Sequence, residues 1–103
     1  MAKFDVQSLM RQAHKMQGEM TRVQEELKQT VVEGVAGGGM VKVQATCANE
    51  VRAISINPEV VDPEDVEMLQ DLILLAIQDA AKQAADISNR RMSEVTGGIK
   101  MPF

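Results

Sequence analysis

Apolar residues recur along the first quarter of the chain at Val6, Leu9, Ala13, Met16, Met20, Val23 and Leu27. The intervals alternate three and four, the spacing of a and d positions in a heptad repeat. The pattern predicts a helix from Asp5 to Lys28, about 36 Å long at ~1.5 Å per residue, with one apolar seam that needs a partner along its length. The pattern then changes. Val31-Val32-Glu33 favours extended chain, and Gly34 with Gly37-Gly38-Gly39 forms a break. Met40 to Thr46 alternates, with Val41, Val43 and Ala45 on one face and Lys42, Gln44 and Thr46 on the other. After a turn at Ala48-Asn49, Glu50 to Asn57 reads as a third strand with Ile54 and Ile56 facing one way. The three strands predict an antiparallel meander.

A second helix is expected after Asn57-Pro58. Asp62 is placed as its N-cap and Pro63 at its first position, with Glu64, Asp65 and Glu67 favouring the positive end of the helix dipole. Val66, Leu69, Ile73, Ala76, Ala80, Ala84 and Ile87 trace its apolar stripe, and Gly97-Gly98 stops it after about Val95. Such a helix spans about 50 Å. The fold class is therefore α+β, in the order α-β-β-β-α, as one domain over residues 1–103 with a flexible tail at 97–103. A compact chain of this size has a radius of gyration near ~13 Å, too small to cover a helix that long. Leu72 to Ile77 is apolar on every side and is expected to be buried all round. The expected solution is a homodimer centred on the sheets and the Leu72–Ile77 region. The two helices of each subunit pack together and project as an arm, Ala80, Ala81, Ala84 and Ala85 permitting close contact.

Composition narrows the function. The chain of 103 residues carries a net charge of -4, no Trp or Tyr, and two Phe. Without aromatic platforms, stacking of single-stranded bases is disfavoured. The charge is unevenly distributed: residues 1–28 sum to +1, residues 29–81 to -7 and residues 82–103 to +2. A partner feels that local field more than the total. Cys47 stands alone, so neither an internal disulfide nor a cysteine metal cluster is expected, and its role is read as structural. The eight methionines read as core filler. The apolar run at Leu72–Ile77 is far too short to cross a bilayer. The first residues carry an acid and lack the long apolar stretch of a signal peptide, so a cytoplasmic location is the default. The triple glycine lacks the lysine and hydroxyl residue of a phosphate loop. The carboxylates of residues 59–71 have no neighbouring His or nucleophile with which to form a catalytic site. No catalytic, cofactor or metal-binding residue is assigned, and no small-molecule substrate is expected.

With Val6 at a, Arg11 falls at f, Lys15 and Arg22 at c, and His14 and Lys28 at b, all opposite the seam. Lys15–Glu19 and Arg22–Glu26 have the spacing of weak i,i+4 ion pairs. Lys3 precedes the helix, and Arg90, Arg91 and Lys100 lie toward the end of the second one. Antiparallel helices bring that end close to Lys3 and Arg11 at the tip of an arm. Charge alone favours an ordinary solvated face over a phosphate-binding patch.

The chain resembles the YbaB/EbfC family of bacterial nucleoid-associated DNA-binding proteins. The resemblance is carried by Leu9-Met10-Arg11-Gln12-Ala13, Lys15-Met16-Gln17 and Gln24-Glu25-Glu26-Leu27. It continues through Gly38-Gly39-Met40-Val41-Lys42-Val43, Ile54-Ser55-Ile56-Asn57-Pro58, Met68-Leu69-Gln70-Asp71-Leu72, Asp79-Ala80 and the ending Lys100-Met101-Pro102-Phe103. It implies a tweezer-shaped homodimer, associated with the nucleoid, that binds duplex DNA, bends or bridges it and influences gene expression. Neither enzymatic activity nor a cofactor is implied. DNA contacts are implied on the terminal helices, which makes Lys3, Arg11, His14, Lys15, Arg22, Arg90, Arg91 and Lys100 the candidate DNA-binding residues. The competing reading is a non-enzymatic module whose helical arms clamp a protein.

Overall fold

Helix α1 (Val6–Gln29) begins where Asp5, in extended conformation, turns its carboxylate onto the backbone N–H groups of Gln7 and Ser8 at 3.1 and 3.3 Å. This N-cap satisfies donors that the first turn leaves unpaired. The computed structural model describes residues 5–96, so the expectations for Lys3, Lys100 and the 97–103 tail lie outside the described residues. Three antiparallel strands follow in sheet order, β1 (Val31–Ala36), β2 (Val41–Thr46) and β3 (Val51–Ile56). Helix α2 (Val66–Thr96) completes the expected α-β-β-β-α order. Neither helix is long and apolar enough to cross a membrane.

The turns follow from local chemistry. Gly37, Gly38 and Gly39 all have positive φ, at 62°, 68° and 94°, a region that side-chain-bearing residues rarely enter. Asn49 takes φ 65° in the second turn, a conformation Asn tolerates. The Thr46 hydroxyl accepts hydrogen bonds from the N–H groups of Ala48 and Glu50, so Thr46 is buried although its position in the alternation was solvent-facing. The start of α2 is later than expected. Asp62 caps only a turn, its backbone carbonyl accepting from Asp65 N–H at 3.0 Å. The Asp65 carboxylate accepts from Met68 N–H at 3.2 Å and caps the helix. Two cap-competent aspartates three residues apart left the choice open to tertiary structure, and the second prevailed.

Gly34 is the largest departure from the sequence reading. It lies inside β1 rather than in a break. α2 crosses the sheet so closely that a Cβ on Gly34 would sit 2.1 Å from the Ala76 carbonyl oxygen and 2.5 Å from the Ala80 nitrogen. Ala76, Ala80 and Ala84 are buried there against Val32, Ala36, Val41, Val43 and Ala45. The alanines thus serve helix-on-sheet contact, while Ala81 and Ala85 are exposed. Where α2 lies on the sheet, the buried apolar contact is made by valines and alanines. None of the described methionines is fully buried, although Met92 packs against the core from a partly exposed position.

α2 also covers the free edge of β1. The Val35 N–H donates to Asp79 Oδ2 at 2.9 Å, and Gln83 Nε2 donates to the Glu33 carbonyl at 2.8 Å. These side chains occupy backbone groups that an edge strand otherwise offers to another chain. β3 has no such cover. Its inward residues Val51 and Ile54 are each 47% exposed. On α2, Leu74 and Leu75 are exposed, and Leu72, Ile73 and Ile77 are half-buried. Within one chain, therefore, Leu72–Ile77 is covered on one side only, because the helix rests on a single sheet face.

Gly34→Ala is expected to destabilise the fold by about 3 kcal/mol, since the clashing atoms are backbone and cannot rotate away. A fall in the urea midpoint at fixed protein concentration checks this, and an unchanged midpoint contradicts the close approach. Gly18 offers the opposite case, with nothing within 4 Å of an added Cβ. Gly18→Ala is expected to stabilise α1 by about 0.5–1 kcal/mol, seen as slower amide exchange in that helix. Cys47 is buried, and burial raises the pKa of its thiol. Native protein is expected to resist alkylation until it unfolds. The raised folded-state pKa means that this group's contribution to stability is complete below the thiol's ordinary range and is lost as pH rises through the folded value. Denaturant melts across alkaline pH, compared with Cys47→Ala, measure that loss.

Candidate nucleic-acid interface

The outer face of α1 is built by the same periodicity that builds the seam. Arg11, His14, Lys15 and Arg22 are all exposed, on the b, c and f positions away from it. Over residues 7–22 this face holds no carboxylate; Glu19 flanks the seam instead. The four side chains have no ion-pair partner among the described residues. Arg11 to Arg22 covers about 16 Å of helix, the axial length of about five base pairs.

The expected pairs Lys15–Glu19 and Arg22–Glu26 do not form. Glu26, at a g position beside the seam, faces α2 and binds Arg91 Nη2 at 2.7 Å. Arg91 also pairs with Glu94, and these two carboxylates raise its pKa, Glu26 first. Arg91 is thereby a joint between the helices. Lys28 pairs with Glu25 at 3.3 Å, both largely exposed. Arg90 is exposed.

This joint fixes how the helices meet. α1 runs toward the sheet and ends at Gln29, while α2 leaves the sheet after Ala84 and then meets α1 at the Arg91–Glu26 pair, so the helices run antiparallel. Arg91 lies opposite Glu26, about 22 Å along α1 from Arg11, fifteen residues away at ~1.5 Å each. Arg90 and Arg91 therefore do not join Arg11 at one tip. They lie near the root of α1, and the described end of α2 falls at about the level of Thr21. The seam shows the same limit: Val23 and Leu27 are 1% and 5% exposed, whereas Val6 and Leu9 are 63% and 48% exposed. Among the described residues, half of the seam lacks the intrachain partner expected for it. The radius of gyration of 20.3 Å and the extents of 75 × 26 × 16 Å record this projection.

Sequence reasoning missed Arg52. It occupies the bulge between Val51 and Ala53, and its guanidinium donates to the Lys28 carbonyl at 3.3 Å. That contact places a cation on the negative end of α1. An irregular strand register leaves no periodic signal by which to find it.

The comparisons agree with the fold. A nucleoid-associated protein of Chloroflexus aurantiacus is 54% identical over 95 residues, covering 92% of this chain and 95% of the relative. A nucleoid-associated protein of Pelotomaculum thermopropionicum is 50% identical over 98 residues, covering 95% and 93%. The crystal structure of an uncharacterised protein from Helicobacter pylori superposes with a TM-score of 0.74 at 25% identity, covering 85% of this chain and 92% of that one. The model of the YbaB/EbfC DNA-binding family matches residues 1–99, and with relatives this similar over nearly their whole length, the chain belongs to that family, which is one of DNA-binding proteins and not of enzymes.

Proposed function

We propose that this protein is a nucleoid-associated homodimer that binds duplex DNA mainly through phosphate contacts from its terminal helices, and so shapes DNA and influences gene expression. The observation that carries the reading is the α1 face of Arg11, His14, Lys15 and Arg22, cationic, unpaired among the described residues and projecting beyond the sheet. Exposed arginine and lysine without carboxylate partners are suited to displacing counterions from a duplex, a sequence-independent source of affinity. A helix about 10–12 Å across also matches the ~12 Å width of the major groove. Arg90, Lys3 and Lys100 are proposed as additional contacts. Arg91 can join them only by releasing Glu26 and Glu94. The bacterial nucleoid, within the cytoplasm, is the proposed location, in keeping with the names of the relatives.

Self-association is supported by the uncovered apolar surface beside α2. A cleft of about 290 Å³ between α2 and the inner face of β3 is lined by Ala45, Val51, Ile77, Ala81 and Ala84. Ile54, Leu74 and Leu75 extend the exposed apolar surface of the two elements. This is the side of the sheet left open while the β1 edge is closed, so the sheet and Leu72–Ile77 form the proposed dimer interface.

Binding to a short duplex is expected to weaken steeply with salt, with a log–log slope of about -0.9 per phosphate contacted. The triple change Arg11→Glu, Lys15→Glu, Arg22→Glu is expected to make the slope shallower by about 0.9 for each lost contact and to weaken binding at least tenfold near ~0.1 M salt. A salt-independent parent would overturn phosphate-dominated binding. Equal slopes for parent and variant would remove the contacts from this face.

A further inference from the structure

The uncovered half of the α1 seam is shaped for a second helix of the same spacing. Val6, Leu9 and Ala13 are exposed, Met16 is half-exposed, and exposed Met10 widens the strip. A lone helix of this length is marginal in water without a packed face. We propose that the seam is covered by α1 of a second copy of this chain, running antiparallel, so that two arm tips pair and present two basic faces.

Side-chain sizes select the orientation. In the antiparallel register, Val6 faces Met16 of the second copy and Leu9 faces its Ala13. Each layer sets a larger side chain against a smaller one, which fills space evenly. A parallel register places Ala13 on Ala13 and leaves a void in the middle of a short interface. The geometry of the fold agrees. The overlap from Val6 to Met16 ends before the level of Thr21, where α2 begins to cover the seam. Among the described residues nothing obstructs the antiparallel copy, whereas a parallel one brings the two sheets side by side. Charge agrees as well. Within the overlap the flanking e and g positions are Met10 and Gln12, both neutral; the charged g positions Asp5 and Glu19 lie beyond its ends, where they oppose each other and keep the pair weak. Arg11, His14 and Lys15 point away from the seam.

Three turns of helix bury far less than the ~1,200 Å² at the lower end of stable complexes. The pair is weak between free molecules and is populated where copies are held together, as on one polymer, where tethering raises the local concentration toward millimolar. The paired tips direct two cationic faces to opposite sides, each able to hold its own duplex segment. This bridging consequence rests on the DNA-binding reading above; the pairing itself does not.

Disulfide trapping tests the pairing without DNA. Leu9→Cys and Ala13→Cys are made separately on a Cys47→Ala background, with circular dichroism confirming the fold of each. Mixed under oxidising conditions, the two proteins are expected to form several-fold more cross-linked species joining one variant to the other than either forms alone. No cross-variant product at about millimolar protein, or predominant self-linking of Leu9→Cys, would overturn the antiparallel pair. Capture of a second, labelled duplex by protein on a bead-held duplex tests the bridge. Leu9→Asp is expected to keep single-duplex affinity and to lose second-duplex capture about tenfold; undiminished capture would overturn the bridge. If the parent fails to bind even the first duplex, the DNA-binding reading fails and the trapping result still decides the pairing.

Discussion

The close approach of α2 to β1 at Gly34 is the constraint on which the rest of the molecule depends. Because no side chain separates the Gly34 backbone from Ala76 and Ala80, the helix lies directly against the sheet. At that distance Asp79 and Gln83 reach the outward backbone groups of β1 and close that edge. The same placement leaves β3 beyond the reach of α2, with Val51 and Ile54 uncovered. One glycine thus decides which edge is sealed, which apolar surface stays uncovered, and how thin the core is. It also sets the line along which α2 leaves the sheet, and hence where α2 meets α1.

That meeting is short. Leu27 and Val23 are buried, Met20 is half-buried, and the Arg91–Glu26 pair holds the helices beside them. An ion pair this exposed contributes little stability by itself. Its value is geometric: the planar guanidinium, shared between Glu26 and Glu94, fixes the alignment of two helices where they part. Beyond the described end of α2, periodicity gives α1 one apolar and one basic face. The apolar face remains available for another helix, and the basic face for a polyanion.

The element order was legible because each signal was local: a heptad seam, β-branched runs, and glycine and asparagine turns. The b, c and f face was legible for the same reason, since helical periodicity determines which side chains share a side. The sequence was less informative wherever two elements had to meet. Gly34 reads as a break from its neighbours, and only α2 gives it a place within a strand. Asp62 and Asp65 are equivalent caps until the preceding turn selects one. Arg91 reads as a free cation until α1 supplies Glu26. The 3-4 spacing announced that the seam needs a partner, but spacing carries no information on where along α1 the second helix stops.

The separation of charge along the fold reconciles an acidic protein with a DNA-binding family. The acidic excess of -7 lies in residues 29–81, the sheet and the first half of α2. Arg11 stands eighteen residues before Gln29, about 27 Å along α1 from the sheet. At about 0.1 M ionic strength the Debye length is ~10 Å, so the acidic body is largely screened at that distance. A duplex at the exposed part of α1 meets Arg11, His14 and Lys15 rather than the net charge. It feels growing repulsion if it slides toward the sheet. The length of α1 therefore has an electrostatic role in addition to reach: it sets Arg11 more than two screening lengths from the acidic body, whereas Arg22, seven residues before Gln29, stands only about one screening length from it.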